Sequence, residues 1–234
     1  MKFVKVLVSA AAAAFVLPAS AALITINGIT PAWVDPAPAA GISINNAGDP
    51  ITARWGLPTT EISGQSGYNF NDANTPVVVD TNVSSGRFLL GDLTHLNQPI
   101  FEPFLTSIGL SVTVDILGGV PGTFTEIFTL SHNETPNNCG CVPGDNDIVT
   151  FSAGTLDSSF TVGGESYILR LLGFSNNEGV TLLPSFSSME SSNNSTQLWA
   201  QIIARPTQVP EPGTLLLMGA GLLSMGFMRR RKQR

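Results

Sequence analysis

Lysine is almost absent from this chain. The three lysines are Lys2, Lys5 and Lys232, all near an end of the 234 residues, and none lies between residues 22 and 208. In that stretch four arginines (Arg54, Arg87, Arg170 and Arg205) face sixteen carboxylates, a formal balance of −12 that the whole-chain value of −6 conceals. Binding a phosphate backbone needs clustered Lys and Arg, so the composition argues against nucleic acid as a partner and against docking to anionic lipid. It suits a soluble domain that stays apart from anionic polymers, or one that approaches them through divalent cations.

Cysteine is nearly as scarce, with only Cys139 and Cys141 flanking Gly140. Two cysteines exclude a disulfide scaffold, and their spacing matches no closed four-ligand zinc pattern. A partial soft-metal set with His132 is one reading. A small local disulfide or a pair of free thiols is the favoured one, because glycine lets so short a ring close. A nucleophile elbow is missing as well: Gly64-Gln65-Ser66-Gly67 is followed by Tyr68 where the motif needs glycine. The sixteen scattered carboxylates support no glycosidase pair, and we assign no catalytic residue.

Helical periodicity is also lacking between the two ends. What recurs is short runs of β-branched and aromatic residues broken by Gly, Pro, Asn, Asp and Ser. Ser111–Leu117 alternates, with Val112, Val114 and Ile116 on one face and Thr113 and Asp115 on the other. Further strands are expected at Leu23–Ile29, Thr52–Trp55, Pro76–Val83, Arg87–Leu90, Thr123–Ser131, Asp147–Ser152, Ser159–Val162, Ser166–Phe174 and Thr196–Arg205. Gly118-Gly119, Pro121-Gly122 and Gly163-Gly164 mark turns, and Ser185–Ser195 reads as a surface loop. The expected fold is all-β: one jelly-roll-like β-sandwich over residues 22–208, about 187 residues and enough for a sizeable core.

The ends are different in kind. Lys2 and Lys5 precede the 12-residue, largely apolar stretch Val6–Leu17, then Pro18 and the small-residue site Ala19-Ser20-Ala21. Residues 1–21 therefore read as a signal peptide for signal peptidase, since an apolar stretch that short does not span a bilayer. Export through an oxidising compartment favours the Cys139–Cys141 bridge. Residues 209–234 run from Val209-Pro210-Glu211-Pro212 through the apolar Gly213–Met228 to the basic cluster Arg229-Arg230-Arg231-Lys232-Gln233-Arg234. As a helix the 16 apolar residues reach ~24 Å against a hydrocarbon core of ~30 Å, a marginal span suited to a transient hold in the inner membrane. The basic end would stay on the cytoplasmic side.

That three-part order resembles the PEP-CTERM sorting signal of Gram-negative bacteria, with Pro210, Glu211 and Pro212 as the motif. The resemblance implies recognition by an exosortase, removal of the hydrophobic sorting helix, and delivery to the outer surface or extracellular matrix, where exopolysaccharide is the expected surrounding.

One internal segment looks specified. Arg87–Leu90 leads into Gly91-Asp92-Leu93-Thr94-His95-Leu96-Asn97-Gln98-Pro99-Ile100, read as a strand followed by a polar turn with Pro99 at its exit. His95 is then either a base or ligand, or a group that holds the loop by hydrogen bonds together with Asn97. The lack of a nucleophile partner favours the second. Thr94, His95 and Asn97 resemble the Thr-His-x-Asn of the THxN family of PEP-CTERM proteins, and the chain is also similar to choice-of-anchor K surface domains. The order continues through Trp55-Gly56-Leu57-Pro58, Tyr68-Asn69-Phe70, Asn133-Glu134-Thr135-Pro136-Asn137 and Tyr167-Ile168-Leu169, although Trp55 replaces an expected Phe-like ring. The family implies an exported β module without established enzymatic activity.

Asp145 and Asp147 have the oxygen spacing of a calcium-loop fragment but lack the later Gly and Glu of a full loop. Glu134 and Asp157 could join them only through tertiary contact. No metal or other cofactor is assigned, and calcium is the weak candidate. Trp33, Trp55 and Trp199 could line a carbohydrate platform, though core packing is commoner for strand tryptophans. The leading expectation is a non-catalytic surface or matrix protein. A calcium-assisted carbohydrate-binding module is the alternative, and a polysaccharide-modifying enzyme ranks third.

Overall fold

The computed structural model of the chain describes residues 23–61, 63–81, 86–135, 146–151 and 155–205. Both terminal labels, with Pro210, Glu211 and Pro212, lie outside the described residues, as do Cys139, Cys141 and Asp145. Among the described residues the protein is all-β, without a helix.

The strands follow in chain order: β1 (Leu23–Ala37), β2 (Ser43–Asn45), β3 (Ile51–Trp55), β4 (Leu57–Pro58), β5 (Ser66–Asp72), β6 (Val77–Asp80), β7 (Arg87–Asn97) and β8 (Ile100–Phe101). The second half adds β9 (Ser107–Ile116), β10 (Gly119–Val120), β11 (Thr123–Asn133), β12 (Asp147–Phe151), β13 (Thr155–Val162), β14 (Glu165–Ser175), β15 (Ser185–Ser188) and β16 (Ser192–Ala204). A six-stranded sheet has the order β15-β12-β11-β9-β1-β6, and an eight-stranded sheet the order β10-β13-β14-β16-β7-β5-β3-β2. Strands β4 and β8 form a separate small pair. All pairings are antiparallel, and the two large sheets face one another as a β-sandwich.

Side-chain alternation explains the layers. Along β9, Ile108, Leu110, Val112, Val114 and Ile116 are buried, while Ser111, Thr113 and Asp115 lie on the other, half-exposed face. On β11 the inward set is Phe124, Phe128, Leu130 and His132, with Glu126 only half-buried between them. Facing residues come from the other sheet. Trp33 of β1 stacks on Tyr68 of β5 at 5.5 Å between centroids, and Phe124 of β11 stacks on Phe160 of β13 at 5.2 Å. Gly163 and Gly164, with φ of +61° and +88°, make the two-residue hairpin between Val162 and Glu165.

Three local expectations need correction. Gly91–Asn97 is not a polar turn but the continuation of β7, hydrogen-bonded to β5 on one side and β16 on the other. Gly91 and Asp92 resemble turn punctuation, yet here the glycine serves close backbone packing (below). Ser185–Ser195 is not a loop, since it supplies β15 and the start of β16. Ser185, Ser187 and Ser188 belong to the edge strand β15, where packing demands little apolar content, and Asn193 and Asn194 open β16 opposite Leu96 and His95. Tyr68-Asn69-Phe70, left unassigned between polar neighbours, forms the middle of β5.

Candidate functional site

The site originates in a single irregularity of β7. Leu198 of β16 pairs with Gly91, but the next residue, Trp199, pairs with Leu89, so Leu90 is an extra residue in the ladder. Such a bulge shifts the alternation by one. Phe88 and Leu90 face inward before it, and Leu93, His95 and Asn97 after it. Without the bulge, Asp92 and Thr94 would point into the core. Gly91 permits this arrangement because a Cβ there would overlap the Asn71 carbonyl and the Phe70 ring.

The Thr-His-x-Asn residues therefore divide between two faces. Thr94 points outward, its Oγ1 2.8 Å from Ser195 Oγ. His95 and Asn97 are fully buried. Asn97 Nδ2 donates to the Ser188 carbonyl at 3.1 Å, reaching from the eight-stranded sheet to β15 of the other. His95 lies parallel to Trp55 of β3, with centroids 5.7 Å apart and planes 14° from parallel.

The opposite sheet delivers three more polar groups to the same place. His132 ends the inward series of β11, Glu134 follows it, and Asp147 opens β12. The His95 and His132 rings meet edge to face at 5.0 Å. His132 Nδ1 lies 2.6 Å from the Tyr68 hydroxyl. Its Nε2 is 3.1 Å from Glu134 Oε2 and 3.6 Å from Asp147 Oδ2. Asp147 Oδ1 accepts from Thr135 N at 2.8 Å and from Thr135 Oγ1 at 3.2 Å. Trp55 Nε1 points at Glu134 Oε2 from 3.5 Å.

Burial, with the neighbouring His132, pushes the His95 pKa well below its ordinary value and keeps the ring neutral. Burial acts on His132 in the same direction. Hydrogen bonds and charge from Asp147 and Glu134 outweigh it, so His132 is raised. As imidazolium, His132 donates from Nδ1 to the Tyr68 oxygen and from Nε2 to Glu134. Tyr68 is raised well above the usual phenol value by burial and by the charges of Asp147 and Glu134, so it stays a neutral hydroxyl.

Among the described residues, several buried polar atoms have no hydrogen-bond partner: both ring nitrogens of His95, Asn97 Oδ1, Glu134 Oε1 and Asp147 Oδ2. Interiors rarely leave such groups unmet. Donor atoms of His95, His132 and Asp147 all lie within 4.8 Å of one another, which makes these three residues a candidate cation site.

His95 and Asn97 stand out in the sequence, but as members of a turn; by spacing alone His132 groups with the cysteines and Asp147 with Asp145. A usable signal existed, because His132 stands in phase with Phe128 and Leu130, as His95 does with Leu93. Trp33 and Trp55 are buried in the core, so neither lines a surface platform. The open polar groove beside Asp92, Glu178 and Gln197, of about 360 Å³, includes none of the buried cluster.

Comparison with known proteins bears on the C-terminal end. A family model described as the PEP-CTERM protein-sorting motif matches residues 208–232. The chain carries a PEP-CTERM sorting signal. The match contains Pro210-Glu211-Pro212, the apolar segment and most of the basic cluster. The signal marks an exported protein that is held at the membrane and then processed by an exosortase. No curated protein matches the chain.

Proposed function

We propose that the mature product is a non-catalytic component of the outer surface or extracellular matrix, released near Pro210-Glu211-Pro212 and associated there with exopolysaccharide. The observation that carries this reading is the sorting motif at residues 208–232 behind an acidic β-sandwich. The enclosed position of the polar cluster supports the absence of catalysis, because Trp55, Tyr68 and the two sheets surround it. Signal peptidase would remove residues 1–21, and the Thr94, His95 and Asn97 pattern supports membership of the THxN group. Intact mass of the protein recovered from native cells tests the processing. A mass lacking the residues after the motif is expected. A mass retaining Gly213–Arg234 in the surface fraction would overturn the reading.

A further inference from the structure

We propose that His95, His132 and Asp147 bind a divalent transition metal of the zinc class between the two sheets, with the Glu134 carboxylate adjacent to His132. This goes beyond the surface assignment, does not depend on it, and departs from the expectation that no metal is held.

Convergence is the first support. The donors come from β7 of one sheet and from β11 and β12 of the other, yet their ligand atoms fall within 4.8 Å. His132 Nε2 stands 3.1 Å from Glu134 Oε2 and 3.6 Å from Asp147 Oδ2. The 3.6 Å separation of the His132 and Asp147 atoms is close to the ~3.3 Å edge of a tetrahedron built from ~2.0–2.1 Å bonds to zinc. The separations that involve His95 stay within 4.8 Å.

Unmet valence is the second. The contacts of His132 account for His132 itself, but they leave both His95 nitrogens without a hydrogen bond and Asp147 Oδ2 with only the 3.6 Å approach of His132 Nε2, in a fully buried place. A cation uses those lone pairs. Charge points the same way. Two neutral imidazoles, two carboxylates and a divalent ion sum to zero. The donor set discriminates among metals. Calcium and magnesium take oxygen ligands in larger numbers, while two imidazoles and a carboxylate suit zinc and its neighbours.

The surroundings already hold the ligands in place. Tyr68 occupies Nδ1 of His132, leaving Nε2 for the ion. Thr135 occupies Asp147 Oδ1, leaving Oδ2. Trp55 fixes the plane of His95 and points its indole N–H at Glu134. Enclosed in this way, the ion would pin one sheet to the other rather than turn over a substrate.

The test uses the full chain without a histidine tag, in detergent, stripped by chelator and reloaded with zinc or cobalt(II). The expected result is one zinc per chain, and a cobalt spectrum with visible d–d bands but no thiolate charge-transfer band. His95→Ala and Asp147→Asn should each weaken zinc at least 100-fold, whereas the double change Cys139→Ser and Cys141→Ser should leave it unaltered. Because emptying the core can unfold the sandwich, Tyr68→Phe serves as a milder variant. Near-UV circular dichroism should be retained, with zinc bound about 10- to 100-fold more weakly. Substoichiometric zinc with a featureless cobalt spectrum would overturn the proposal. So would binding that survives His95→Ala, or that disappears with the cysteines. The mass measurement of C-terminal processing stands or falls separately.

Discussion

The hydroxyl of Tyr68 and Nδ1 of His132 lie 2.6 Å apart and join the two sheets through their interior. Tyr68→Phe deletes that oxygen and leaves a buried ring nitrogen unmet. The expected loss is about 1–3 kcal/mol, the penalty for stranding a buried polar group. Urea unfolding should show a lower midpoint with an unchanged slope. An unmoved midpoint would mean that the bond contributes nothing.

Thr94 and Asn97 belong to one four-residue motif but should respond very differently to truncation. Asn97→Ala removes the bridge to the Ser188 carbonyl inside the core and should cost about 1–3 kcal/mol. Thr94→Ala loses only an exposed contact with Ser195, and its effect should stay within about 0.5 kcal/mol. Denaturant titration of the two variants side by side checks the ordering, and equal losses would contradict the division between faces.

Gly91→Ala brings a methyl group against the Asn71 carbonyl and the Phe70 ring. Backbone on one side and a core aromatic on the other leave little room to relax, so a loss of about 1–3 kcal/mol is expected. The bulge places His95, so the same variant should also weaken zinc retention, measured by metal analysis after dialysis.

Removing the metal should lower thermal stability without altering the strand content. At zinc a hundredfold above its dissociation constant, the bound state gains about 2.7 kcal/mol. For a domain of this size that corresponds to a melting shift of roughly 5–10 °C. Differential scanning calorimetry with and without chelator measures it, and His95→Ala should abolish the difference.

The all-β architecture was legible because its strands alternate on a period of two. Ser111–Leu117 and Thr123–Ser131 show this directly, and β9 and β11 form there. Less legible was anything set by pairing. Gly91-Asp92 carries the residue types of a turn, and only the neighbouring β5 and β16 make it a bulged central strand. The polar cluster was harder still. His95, His132 and Asp147 are separated by dozens of residues in places, and each had a local explanation that required none of the others. Their meeting depends on which strands face each other across the sandwich, which local pattern does not encode.

β16 lies between β14 and β7, paired with β7 over Ser192–Gln201 and with β14 over Gln197–Ala204. The chain leaves this strand at Ala204 and reaches the sorting motif by residue 208. A protein tethered through that end takes any pull from outside along the axis of a central strand. Its rungs to β14, and behind them those to β7, lie across that pull and would have to shear together rather than open one after another.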